Sequence, residues 1–112
     1  MQHSRPSARL RDAPTLRLSL GPAGTGTTEV PVAVGLRARL LGLSHLDRAD
    51  AGRGLLIPRC AAVHTFGMRF PLDLVFLDTR LRPLSTRLAV PPRRMAAHRA
   101  AAAVLELPST PR

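Results

Sequence analysis

Asp73, His64 and Cys60 are the residues whose types and surroundings point to chemistry. Asp73 lies between Pro71-Leu72 and Leu74-Val75 in an otherwise apolar run. A carboxylate there is poorly solvated and needs a partner or a raised pKa. One reading makes it a general base or a ligand-contacting acid. The plainer reading, which weighs more, is a structural carboxylate that accepts backbone N–H groups or pairs with arginine. Cys60 and His64 have three residues between them. That spacing keeps one face on a helix or on a strand, and both are metal-ligand types. Two ligands do not make a site; Asp73 as a third and His98 as a fourth would be needed. A Cys60–His64 nucleophile pair oriented by Asp73 can also be written, although no nucleophile elbow or protease signature surrounds it. The plainer alternative is a small buried cysteine and a histidine satisfied by backbone. Arg69 and Arg59 could clamp a carboxylate or phosphate beside His64 and Asp73, or Arg69 could simply neutralise Asp73. The candidate ligand-binding set is therefore Asp73, His64 and Arg69. Cys60 and His64 are the metal candidates, and no catalytic set is complete.

Short strands must position these groups. Thr15–Leu20 alternates leucine with polar residues, as a half-buried strand does. Gly21–Thr28 reads as a hairpin connection, and the chain has no lysine for a phosphate-binding loop of the P-loop type. Val30–Val34 alternates too, with Pro31 confining it to an edge. Leu36–Leu43 switches to helical spacing. Ser44 is expected to cap a following turn with Asp47, leaving His45 and Asp47 on the surface. Leu55–Ile57 is a short apolar run stopped by Pro58, Ala61–Phe66 reads as a strand, and Gly67 permits a bulge or bend. Phe66, Met68 and Phe70 read as core. Leu72–Leu77 is apolar on both faces except at Asp73, which predicts a central strand covered on both sides. Leu81–Val90 and Val104–Leu107 read as further strands. The alanine-rich Arg93–Ala103 has high helix propensity. Residues 1–14 are expected to be a disordered basic arm, 15–108 one domain and 109–112 a tail. The sum is a small, mainly β single domain, barrel-like or sandwich-like and antiparallel, with one short helix.

Composition narrows the function. The 112 residues are 45% apolar and 21% charged, ordinary for a globular domain. Seventeen basic residues face seven acidic ones, a net charge of +10, and every basic residue is arginine. Such a surplus attracts polyanions. The arginines are dispersed, however, and only three aromatic residues exist, all phenylalanine, so stacking platforms for single strands are missing. One cysteine excludes an internal disulfide. No apolar run approaches the roughly 18 residues of a spanning helix, and no apolar region follows the basic N-terminus; a cytoplasmic location is the expectation.

Three stretches taken in order, GRGLLIP (Gly52–Pro58), VHTFGMRFPLDLVFLD (Val63–Asp78) and AVLELP (Ala103–Pro108), resemble the bacterial and archaeal family known as domain of unknown function 192. The resemblance covers about residues 30–108, and the Cys60-to-Asp73 region looks like an HTFGMRFPLD-type subgroup. It implies a compact, mainly β domain and no particular reaction. Relatives usually continue past the VLEL strand, so an open sheet edge is expected, and many carry an export signal or lipid anchor that is not seen here. The favoured reading is a non-enzymatic binding or accessory module contacting a protein or a small anionic ligand, with no cofactor expected. One alternative is a small metal-dependent or hydrolytic enzyme centred on Cys60, His64 and Asp73. A second is non-specific nucleic-acid association through the basic surface.

Overall fold

Strand β5 (Leu72–Leu77) organises the chain. Leu72, Leu74 and Phe76 enter one buried cluster and Val75 and Leu77 another, as period-two geometry requires of a strand covered on both sides. The computed structural model describes residues 8–19 and 27–110. β5 pairs antiparallel with β6 (Pro83–Val90) and with β8 (Ala103–Pro108), and β8 pairs antiparallel with β3 (Leu55–Pro58). The sheet order is β3-β8-β5-β6.

Each face of this sheet has its own cover. On one, Leu55, Ile57, Leu74 and Val104 pack with Leu43, which follows helix α2 (Leu36–Leu41), and with Ala51 of the 3-10 turn Arg48–Ala51. Val63 and Ala96 join them from a two-stranded ribbon of β4 (Ala62–His64) and β7 (Met95–Ala97). On the other face Leu56, Val75, Leu77 and Leu105 pack with Leu18 and Val30. Those two come from the antiparallel pair β1 (Thr15–Ser19) and β2 (Thr27–Pro31). Each buried leucine contributes about 1.5–3 kcal/mol relative to exposure. The result is a mainly β, antiparallel, sandwich-like globule in which α2 is the one α-helix longer than four residues among the described residues. Among the described residues no helix is long and apolar enough to cross a membrane.

Several expectations need correction. Arg93–Ala103 is not a helix: Met95–Ala97 is strand β7, and the His98 N–H donates to the Ala61 carbonyl. Propensity is a weak prior, and this run has few large side chains to bury as a helix, so pairing with β4 prevails. Buried Thr65 fixes the entry to β7. Its Oγ1 donates to the Pro91 carbonyl at 2.7 Å and accepts the Arg94 N–H at 2.8 Å. The 3-10 turn Arg48–Ala51 has Asp47 at its N-cap, and the Ser44 hydroxyl donates back to the Leu41 carbonyl. β2 runs from Thr27 to Pro31, and Val32 makes an isolated parallel bridge to Leu56 and donates its N–H to the Pro14 carbonyl at 2.7 Å. Phe66 stands half exposed, whereas Met68 and Phe70 are core. Of the expected arm, residues 1–7 lie outside the described residues. Ala8–Arg11 form a helical turn, α1, and the apolar Leu10 on it is buried. The connection expected at Gly21–Thr28 falls mostly outside the described residues. The VLEL strand is internal to the sheet; the edge strands are β3, which Val32 meets through an isolated bridge, and β6, with which no further strand pairs among the described residues.

Candidate functional site

The residue that stands out lies outside the candidate set named above. Glu106 lies on β8, opposite Leu55 on one side and Leu74 on the other, and is only 2% exposed. Its Oε1 accepts the backbone N–H of Leu43 at 3.1 Å. Gly42 makes room for it: a Cβ there would sit 2.6 Å from that oxygen, and φ at Gly42 is +54°. The exit of α2 is thus shaped around a buried carboxylate, a group that is costly to bury without such donors. A signal existed in the sequence. Val104, Leu105 and Leu107 occupy both faces of the strand with apolar side chains, so Glu106 had no solvent face to occupy.

Glu106 helps to line a cavity of about 230 Å³. Arg39, Leu40 and Gly42 come from α2 and its end, Ile57 from β3, Cys60 from the link after it, Ala62 to His64 from β4 and Met95 from β7. The Arg39 Nη2 donates to the Arg59 carbonyl at 2.8 Å. Its Nε is buried and has no acceptor among the described residues, an arrangement that buried donors rarely tolerate. The half-buried Cys60 thiol donates to the Ala62 carbonyl at 3.0 Å. His64 is exposed and its ring lies 5.8 Å from that of Phe66. Leu40 and Met95 stand in solvent, 61% and 73% exposed. The site therefore combines a guanidinium, an imidazole and a buried carboxylate with apolar walls.

Asp73 is elsewhere. It alternates with Leu72 and Leu74 and so takes the opposite face of β5 from them. Its Oδ1 accepts the Ala89 N–H at 2.8 Å, where Ala89 adopts φ of +52° at an irregularity of β6. It borders a separate depression with Arg48, Arg53 and Leu107. Arg69 does not serve Asp73; it pairs with Asp47 at 2.9 Å, both exposed. His98 packs its ring 5.9 Å from Phe76, and its Nδ1 accepts the Ala100 N–H. Cys60 and His64 share a cavity, but the proposed centre of Cys60, His64 and Asp73 is not assembled, because strand alternation separates its acid from the other two. Among the described residues no three of His, Cys, Asp and Glu converge as a metal would require.

Comparison with known proteins gives the family and the fold. A family model, DUF192 (uncharacterized ACR), matches residues 19–110. No curated protein matches. A crystal structure from Sinorhizobium meliloti, described as a "putative transcription regulator", is similar in fold with a TM-score of 0.68 and 22% identity, over 83% of this chain and 78% of that one. A protein of unknown function from Novosphingobium aromaticivorans is similar with a TM-score of 0.60 and 19% identity, over 85% of this chain and 74% of the other. At such identities the likeness speaks for the fold alone.

Proposed function

The chain belongs to the DUF192 family, and from that premise we propose that it is a non-enzymatic binding module whose ligand site is the cavity beside Glu106. One observation carries the reading. Segments distant in sequence close around a single cavity that has a carboxylate buried in its wall and a guanidinium beside it. The chemically reactive candidates, by contrast, are divided between the two faces of the sheet. At about 230 Å³ the cavity is smaller than the 300–1,000 Å³ usual for drug-sized ligands, so it suits a small metabolite. Arg39 brings an unused donor and favours an oxyanion. Glu106 favours a hydrogen-bond donor on the same molecule, and Ile57, Val63 and Met95 suit an apolar body. The surplus positive charge would raise the encounter rate of an anion.

The test is a titration of the ¹⁵N-labelled protein with a panel of small hydroxy acids and amino-acid-like carboxylates. Amide shifts centred on Leu43, Ile57 and Val63, and lost in Arg39→Gln, are the expected result. Saturating shifts that spare those amides would sink the proposal. A second reading, association with nucleic acid through charge, rests on the net charge of +10. It predicts duplex affinity that falls steeply with salt and ignores sequence; salt-independent binding would remove it.

A further inference from the structure

β6 is the last strand of its sheet, and among the described residues no strand pairs with its outer edge. Leu84, Thr86 and Leu88 alternate with Ser85 and Arg87, and the two leucines are 41% and 55% exposed. They lie about 13 Å apart along an extended chain. The pairing with β5 is regular over Ser85–Arg87, and its two register irregularities fall at Leu84 and at Leu88–Ala89, which limits the edge to a short partner instead of open-ended stacking. Residues 78–94 contain five arginines, Arg80, Arg82, Arg87, Arg93 and Arg94, all exposed, against one aspartate. That aspartate, Asp78, is already engaged by Arg82 at 3.1 Å.

Three features therefore coincide: an unpaired backbone edge, two leucines in solvent and a local excess of guanidinium. A second copy of the chain would use the edge but would set the same arginines against one another, since a two-fold interface repeats one patch. A nucleic acid would use the arginines but neither the strand edge nor the leucines. An extended acidic segment uses all three, by adding a strand, seating apolar side chains on Leu84 and Leu88 and placing carboxylates on the arginines. We propose that the β6 edge docks an extended acidic peptide segment of a partner protein as a fifth strand of the four-stranded sheet. β6 contributes nothing to the lining of the Glu106 cavity, so the two sites succeed or fail separately.

The probe is a synthetic peptide of about nine residues, alternating glutamate with small residues and carrying two leucines four positions apart. Its control is the same composition with proline at alternate positions. Titrated into the ¹⁵N-labelled full chain, the peptide is expected to shift the Leu84–Leu88 amides and slow their hydrogen exchange. Arg82→Glu with Arg87→Glu should weaken it at least about tenfold. Thr86→Pro, which removes an edge N–H, should abolish it, with circular dichroism confirming that the sheet survives. Equal binding of the proline control, or unchanged affinity in Thr86→Pro, would overturn the proposal in favour of charge alone. So would an oligonucleotide duplex that binds these arginines more tightly than the peptide does. A concentration-dependent dimer dissolved by Thr86→Pro would replace the partner with a second copy. The absence of any shift at millimolar peptide would overturn it outright.

Discussion

Glu106 and Leu43 are joined across 63 positions of sequence by one hydrogen bond, from the Leu43 N–H to Oε1 at 3.1 Å. This bond fastens the end of α2 to the middle of the sheet and sets one wall of the cavity. Glu106→Ala should leave a buried N–H unsatisfied at a cost of about 1–3 kcal/mol. Glu106→Gln keeps an acceptor and should cost less. Urea unfolding of the two variants, with equal m-values, checks the order; equal losses would mean that the bond contributes little.

Gly42 and Gly35 provide an internal control. Both have positive φ, but a Cβ at Gly35 meets nothing within 4 Å, whereas one at Gly42 meets the Glu106 carboxylate. Both lie outside the left-handed helical region, with ψ of 161° and −130°, so both alanine variants carry a backbone penalty of about 1–3 kcal/mol. Gly42→Ala should lose at least about 1 kcal/mol more, and the excess should shrink in the background of Glu106→Ala, because contacting residues do not behave additively. A thermal-denaturation cycle over the four proteins measures this.

Asp73 is expected to act on β6 and not on a ligand. Asp73→Ala should release the Ala89 N–H, at roughly 0.5–1.5 kcal/mol, and speed its hydrogen exchange. Ligand shifts at Leu43 and Val63 should be unaltered. A ligand-binding defect without faster exchange at Ala89 would restore Asp73 to the binding site.

Thr65→Val removes the hydroxyl that ties Pro91 and Arg94 together. Thr65 is 1% exposed, so the unmet groups should cost about 1–3 kcal/mol. The amide of Met95 on the cavity rim should shift as well, since the same turn delivers β7. A stability loss with Met95 unmoved would show that β7 is held from elsewhere.

Asp78 should give a weak acid-dependent signature. Its carboxylate accepts the backbone N–H groups of Arg82 and Arg80 and the Arg82 guanidinium. The Arg82 backbone bond is the largest influence, and together these hold its pKa below the ordinary 3.8 despite opposing desolvation. A depressed carboxylate stabilises the fold fully above its unfolded value, and that contribution is lost as pH falls through the lower folded value. The side-chain carboxyl carbon of Asp78 should therefore titrate below 3.8. Asp78→Asn should flatten the acid limb of the stability curve; a steeper limb would contradict the sign.

The strands were legible wherever alternation was clean. Leu72–Leu77 was expected as a doubly covered central strand and is one, because five apolar side chains on two faces admit little else. The helix at Leu36 was legible from its leucine spacing, although it ends at Leu41. Arg93–Ala103 was misread because alanine propensity outweighed the absence of an apolar stripe. Glu106 stands at no familiar ligand spacing from another candidate, although it is, like Asp73, an acid inside an apolar strand.

The sequence by itself determined the local periods, the antiparallel β class, the single short helix and the charge surplus, since these follow from side-chain spacing and composition. Tertiary structure alone decided which groups meet. The face on which Asp73 ends, the pairing of Arg69 with Asp47, and the meeting of Glu106 with Leu43 and Gly42 depend on strand order and register. Those are settled by contacts between segments tens of residues apart, and no local pattern encodes them.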